Sequence, residues 1–327
     1  MGLPLPETVT VDIVVLRQQL QGLDGESYAA ALEERLPEAE INVARTPSEE
    51  RALLRTAQIA AGTNIDPEAV ESAENLELFA GTYAGTEHLP LDVLEDHGVA
   101  VTNGSGVHGP NIAEYVLGSI LAFARGFPTA WRQKERREWQ AFETHELQGS
   151  TVTVIGLGAI GQAVLKRLKP FGVHTIGLRY TPEKGGPADE IAGLEANPLH
   201  DALARSDYVV VASPLTETTR GLIDETALET MSPESVLVNI ARGPIVETEA
   251  LVHELQRNGI RGAALDVTDP EPLPADHELW GLDNVFLTPH HAGFTPNYWE
   301  RRADILAENV EIAEETGSFD GLCNQIR

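Results

Sequence analysis

Residues 151 to 161 read TVTVIGLGAIG, and no other stretch restricts the fold so tightly. Five β-branched residues make a strand. Gly156, Gly158 and Gly161 follow at G-x-G-x-x-G spacing, and GQAVLKRLKPF continues with apolar positions at helical intervals. A strand that turns directly into a helix through glycines belongs to a parallel α/β sheet. Gly156 permits the tight turn, Gly158 lets backbone approach a pyrophosphate, and Gly161 lets the helix pack on the strand. N–H groups at the helix start then face the phosphates. The stretch therefore predicts a dinucleotide site.

The rest of the chain repeats the alternation. VDIVVL (11–16), QIAAG (58–62), LELFAG (76–81) and VAVTNG (99–104) read as strands, with helical pieces such as ESYAAALEERL and LDVLEDHG between them. The turn cluster TNGSGVHGPN (102–111) leads into a helix from Gly109, with Pro110 at its first position, to about Arg125; a charged helix then runs to about Trp139. VHTIGL, YVVVAS, SVLVNIA, GAALDV and NVFLTP are further strands, and after GFTP (293–296) a last helix spans about Asn297 to Glu315. The predicted class is α/β, with two doubly wound parallel-sheet domains of Rossmann or flavodoxin-like type separated by a cleft. Residues 1–103 with 295–327 make one domain and 104–294 the other.

Charge narrows the partners. Lys plus Arg is 23 against 51 Asp plus Glu, a net charge of −28. Phosphate neutralisation needs a basic face, so neither nucleic acid nor an anionic membrane is an expected partner. The acidic residues spread over the whole chain, and the only lysines are Lys134, Lys166, Lys169 and Lys184. This suits a halophilic cytoplasm, because at about 1 M salt the Debye length is only ~3 Å. Cys323 is the only cysteine, which excludes an intramolecular disulfide and a cysteine-built zinc site. MGLPLPETVTVDIVVL lacks a basic start, and Pro6 breaks an acylation pattern after Met1-Gly2. IAEYVLGSILAFA (112–124) contains Glu114 and is too short to span a bilayer. A cytoplasmic location is expected. Asn103-Gly104-Ser105 has the form of a glycosylation sequon and reads as a turn.

In sites of this kind a carboxylate usually ends the strand after the glycine turn and accepts a bond from the ribose 2′-OH. HTIGLRYTPEK (174–184) puts Arg179 there instead. A guanidinium fork suits a 2′-phosphate, which a carboxylate would repel. Arg179, with the hydroxyls of Tyr180 and Thr181 and with Lys184 close by, predicts NADP(H) as the preferred cofactor, with NAD(H) allowed.

Three later patches carry chemistry. VNIARGPIVETEAL (238–251) places Arg242 after a strand, AALDVTDPEPLP (263–274) places Glu271 in a proline-rich turn, and NVFLTPHHAGFT (284–295) places His290 after a third strand. All three fall at carboxyl ends of strands, where open α/β sheets bind ligands. A 2-keto acid offers a carboxylate beside a carbonyl. Arg242 can grip the first and polarise the second. His290 can donate a proton to the carbonyl oxygen, and Glu271 can bond the other ring nitrogen and orient it. Asp266 can hold the nicotinamide amide. His290-His291 has no further ligand cluster, so no metal is expected.

These patches closely resemble the NAD(P)-dependent D-2-hydroxyacid dehydrogenase family, whose members include glyoxylate/hydroxypyruvate reductases and phosphoglycerate dehydrogenases. The strings N-I-A-R-G, L-D-V-x-x-x-E-P-L and T-P-H-x-A-G carry it, over about residues 76 to 313. The resemblance implies that Arg242, Glu271 and His290 are the catalytic residues. It implies substrate-carboxylate binding by Tyr83-Ala84-Gly85, with N–H donors at Ala84 and Gly85, alongside Arg242 and His290. It implies cofactor contacts from Gly156, Gly158, Ala159, Ile160, Gly161, Arg179, Tyr180, Thr181, Ser213, Pro214, Thr219, Ile240, Ala241, Asp266, His290 and Gly293. It also implies a homodimer through the helices after residue 110 and a cleft that closes over substrate. Three features depart from the pattern: Arg179 stands for the usual acid, Tyr83 for a glycine, and His291 for an apolar residue. Pocket shape is expected to depend on Tyr83, the segment around Trp139, Phe294, Tyr298 and Trp299. The leading reading is hydride exchange between NADP(H) and a 2-keto acid or D-2-hydroxy acid. Phosphoglycerate dehydrogenase and a non-catalytic, dinucleotide-sensing co-repressor-like protein are the alternatives.

Overall fold

The computed structural model describes residues 11–17, 24–86 and 88–327. Residues 1–10, on which the export and acylation readings rest, lie outside the described residues. The chain divides into two compact units, Met1–Val107 with Thr295–Arg327, and His108–Phe294. The first crossing thus falls after Val107 rather than at 103. Residues 103 to 105 are tied to the chain's end: Asn103 N donates to Asn324 O at 3.2 Å, and Asn324 Nδ2 to Ser105 O at 2.9 Å.

The first unit contains β1 (Asp12–Val15), α1 (Gly25–Arg35), β2 (Glu40–Val43), α2 (Pro47–Leu54), β3 (Ile59–Gly62), α3 (Pro67–Glu71), β4 (Leu78–Gly81), α4 (Leu91–Asp96) and β5 (Ala100–Thr102). Its five-stranded sheet runs in the order β2-β1-β3-β4-β5, with every pairing parallel. Strand side chains alternate between faces. Ile13 and Val15 therefore join one core layer and Val14 the other. Both faces are covered, as parallel sheets require, so the central strands are continuously apolar.

The second unit contains α5 (Gly109–Ala124), α6 (Phe127–Arg136), β6 (Thr151–Ile155), α7 (Ala159–Leu168), β7 (His174–Leu178), β8 (Glu190–Ala192), α8 (Ala196–Ala204), β9 (Tyr208–Val211), α9 (Glu225–Thr230), β10 (Val236–Asn239), α10 (Thr248–Gln256), β11 (Gly262–Leu265) and β12 (Val285–Leu287). The sheet order is β12-β11-β10-β9-β6-β7-β8, again all parallel. Val209 and Val211 enter one core layer, Tyr208 and Val210 the other. From β6 the chain builds outward to β7 and β8, then returns to build β9 to β12 on the other side. The direction reverses between β6 and β9, which is where ligands bind in such sheets. The last helix, α11 (Tyr298–Thr316), returns to the first unit, where Trp299 stacks on Tyr28 with ring centroids 4.6 Å apart.

The α/β class expected from the sequence is the one observed. Two strands carry no clear sequence signal, β2 (EINV) and β8 (EIA). Both lie at sheet edges, where one side faces solvent and the apolar run shrinks. The charged helix ends at Arg136 rather than near Trp139, because Arg137 takes a left-handed φ of 59°. Among the described residues no helix is long and apolar enough to cross a membrane.

Candidate active site

The glycine turn has the geometry its spacing predicts. Gly156 has φ 100°, and a Cβ there would lie 2.6 Å from Ser213 Cα. A Cβ on Gly161 would lie 1.9 Å from the Gly156 carbonyl oxygen. At Gly158, the N-cap of α7, a Cβ would meet nothing within 4 Å, so open space lies over the turn. The first N–H groups of α7, at Ala159, Ile160 and Gly161, have no acceptor within the helix. Ser213, 4% exposed, keeps a buried Oγ without a partner among the described residues. Free donors, an orphaned hydroxyl and open space together fit a dinucleotide pyrophosphate.

Arg179 stands at the end of β7, beside the glycine turn, since Gly156 N donates to Leu178 O at 2.8 Å. Its Nη1 donates to Gly185 O at 2.6 Å, which fixes the guanidinium over the loop that carries Thr181 and Lys184. Tyr180 is 76% exposed. The hydroxyl of Thr219, which the resemblance assigns to the cofactor, donates to Pro214 O at 2.6 Å and accepts from Thr216 N at 2.8 Å. It shapes the loop after β9. Ile240 and Ala241 are buried beyond the end of β10 and offer apolar surface.

Arg242, Glu271 and His290 follow three consecutive strands, β10, β11 and β12. Arg242 is exposed, and its Nη1 donates to Ala241 O at 2.7 Å. Gly243 follows it because a Cβ there would lie 2.0 Å from Thr268 O; this close approach brings the β10 loop against the β11 loop. Glu271 Oε1 lies 2.7 Å from His290 Nδ1, with both side chains a little under half exposed. An ionised carboxylate only accepts, so Nδ1 carries the hydrogen and Nε2 is left for another partner.

His290 has φ 52°, a conformation that non-glycine residues rarely adopt and that packed surroundings must enforce. Asp266 enforces it. The sequence suggests a cofactor-amide role for Asp266, yet it is 2% exposed and its carboxylate already accepts three bonds. These come from Thr288 Oγ1 at 2.6 Å, His291 N at 2.8 Å and Ala292 N at 2.9 Å. Its backbone O also accepts from His290 N at 2.7 Å. Asp266 therefore holds the histidine segment. Tyr115 OH lies 2.7 Å from Thr288 Oγ1, and because that hydroxyl donates to Asp266, the tyrosine must donate to the threonine. Burial pushes the Tyr115 hydroxyl up to about 12. Asn111 adds Nδ2 bonds to Ala292 O and Phe294 O, on either side of Gly293. No local sequence signal marks Asp266, Thr288 or Tyr115 for this work.

His291 stacks on Phe294 with centroids 4.8 Å apart. Among the described residues, no group of three or more His, Cys, Asp or Glu could hold a metal ion. Trp139 is fully exposed. Tyr298 and Trp299, expected to shape a pocket, instead belong to the core of the first unit, 5% and 4% exposed. Tyr83, Ala84 and Gly85 also lie in the first unit, on an exposed turn after β4.

The chain is similar to known proteins in sequence and in fold. Residues 117–292 match the model of the D-isomer specific 2-hydroxyacid dehydrogenase, NAD binding domain. A glyoxylate reductase of Pyrococcus furiosus is 35% identical over 264 residues, 78% of this chain and 77% of that protein. A D-3-phosphoglycerate dehydrogenase of Methanocaldococcus jannaschii is 34% identical over 256 residues, 77% of this chain but 48% of that longer protein. A D-isomer specific 2-hydroxyacid dehydrogenase of Xanthobacter autotrophicus Py2, solved with NADPH and MES, superposes with TM-score 0.75 at 27% identity, over 98% of both chains.

Proposed function

This chain belongs to the D-isomer specific 2-hydroxyacid dehydrogenase family, and from that membership we propose that it is a 2-keto acid reductase preferring NADP(H). The observation that carries the reading is the 2.7 Å bond between His290 Nδ1 and Glu271 Oε1, one strand away from Arg242 in the sheet that bears the glycine cradle.

The cradle of Gly156, Gly158 and Gly161, the N–H groups of Ala159 and Ile160, and Ser213 would hold the pyrophosphate. Arg179, Tyr180 and Thr181 would hold a 2′-phosphate, and the loops at Pro214, Ile240, Ala241 and Gly293 would line the remainder. A bound nicotinamide supplies or accepts the hydride. Arg242 binds the substrate carboxylate and polarises the neighbouring carbonyl. His290 in its imidazolium form gives the Nε2 proton to the carbonyl oxygen and is left neutral, while Glu271 holds Nδ1–H and sets the ring. In the reverse direction His290 takes the hydroxyl proton of the D-2-hydroxy acid. The N–H groups of Ala84 and Gly85 serve as further carboxylate donors, with Tyr83 beside them. Exposed Phe127 and Trp131 on α6 suit a two-fold contact between copies, which sedimentation would reveal.

The test is a panel of glyoxylate, hydroxypyruvate and branched 2-keto acids against NADPH and NADH. Turnover of glyoxylate or hydroxypyruvate with NADPH supports the reading. Selective oxidation of 3-phosphoglycerate would instead favour the second reading, which the Methanocaldococcus relative's name supports. Dinucleotide binding without turnover of any acid would defeat both.

A further inference from the structure

Arg302 on α11 is only 1% exposed, and among the described residues it has no carboxylate partner. An unpaired buried charge is strongly unfavourable unless something else requires it. Tyr28, the hydroxyl beside it, is no counter-charge, because burial pushes its pKa up and keeps it neutral. The terminal nitrogens of Arg302 end on backbone instead: Nη2 donates to Gly81 O at 2.6 Å and Nη1 to Asn103 O at 3.1 Å.

Those bonds are part of a larger arrangement. Tyr298, one helical turn earlier, donates its hydroxyl to Thr82 O at 2.7 Å. Gly104 N donates to Tyr83 O at 2.8 Å, and Asn103 Nδ2 to Ala84 O at 2.8 Å. Four carbonyls in a row, from Gly81 to Ala84, are thus each fixed by a donor from α11 or from the segment after β5. The packing is tight: a Cβ on Gly104 would lie 2.3 Å from Thr82 O. With the carbonyls held, the N–H groups of the exposed residues Ala84 and Gly85 have no acceptor among the described residues. Successive unpaired N–H groups in a fixed turn form an anion-binding concavity.

We propose that Arg302 is a positioning residue for anion binding: with Tyr298 it holds the 82–85 turn as a preformed carboxylate cradle, and its unpaired charge draws an anion to that turn. The inference rests on the assignment of Ala84 and Gly85 as substrate donors. It separates two arginine roles, with Arg242 touching the substrate and Arg302 acting through the backbone.

The test uses the full chain with three variants, Arg302→Met, Arg302→Lys and Tyr298→Phe. Each is assayed for glyoxylate turnover, for equilibrium binding of oxamate, a non-reducible isostere of a 2-keto acid, and for cofactor binding. Arg302→Met is expected to raise KM for glyoxylate and Kd for oxamate about tenfold, the weight of one charged hydrogen bond. Its kcat and cofactor Kd should stay near the parent values. Arg302→Lys should recover part of the loss, and Tyr298→Phe should weaken oxamate a few-fold. Folded variants that bind oxamate as the parent does, or lose kcat at constant KM, overturn the proposal. If Arg302→Met does not fold, Tyr298→Phe decides. A parent that binds oxamate but turns over no keto acid defeats the functional reading alone; one that binds no oxamate defeats the cradle.

Discussion

Glu271 Oε1 and His290 Nδ1 sit 2.7 Å apart, on loops after adjacent parallel strands. If that pair performs proton transfer, His290→Ala should lower kcat by about a hundred- to ten-thousandfold, the usual worth of a positioned acid–base group. Glu271→Gln keeps an acceptor but loses the charge, so its loss should be smaller. NADPH titrations should show cofactor binding intact in both. Near-parent turnover in His290→Ala would remove the histidine from the mechanism.

Arg179 is fixed by Gly185 O at the end of β7. Arg179→Asp should reverse the cofactor preference by disfavouring NADPH and admitting the ribose 2′-OH of NADH. The shift in the ratio of kcat/KM values should be at least about tenfold, consistent with loss of one charged contact. An unchanged ratio would mean that this arginine is only a surface residue.

Asp266 collects three donors at its carboxylate and holds His290 at φ 52°. In Asp266→Asn an amide NH2 must face one of those donors, leaving it buried and unpaired at a cost of about 1–3 kcal/mol. Thermal unfolding should come earlier, and kcat should fall even though the residue is nearly inaccessible. A variant with parent stability and parent kcat would show that the histidine segment holds itself.

Burial pushes both Tyr115 and Tyr298 from 10.0 up to about 12. An unfolded tyrosine loses its proton near 10, while the folded ones keep theirs to about 12, so the folded state binds more protons in between. Their contribution is complete below pH 10 and is lost as pH rises to about 12, on the order of 2 kcal/mol each. Denaturant midpoints measured from pH 9 to 12 should fall, and Tyr115→Phe should shallow the slope.

A net charge of −28 makes salt a further lever. At about 0.01 M salt the Debye length is ~30 Å, against ~3 Å at 1 M, so self-repulsion reaches across the molecule only in dilute buffer. The melting temperature should climb with sodium chloride, and dialysis into fresh buffer should unfold the chain. Equal stability at both extremes would argue against adaptation to brine.

The central strands, the glycine turn and the order of Arg242, Glu271 and His290 are legible in the sequence, because each depends on neighbours within a few residues. A strand buried on both faces must be continuously apolar, and a turn that admits no Cβ must use glycine. Edge strands such as Glu40–Val43 are not legible, since half their surface faces water and their apolar signal fades. Arg302 shows the same limit more sharply. Nothing in WERRADIL distinguishes it from Arg301; only the seating of α11 sends one guanidinium to Gly81 O, 221 residues away, where local pattern carries no information. The choice of Asp266 to hold His290, 24 residues further along the chain, was likewise made by the pairing of β11 with β12. Sequence determined the elements and the chemistry they carry; tertiary packing decided which polar groups meet, because those partners are close in space and distant along the chain.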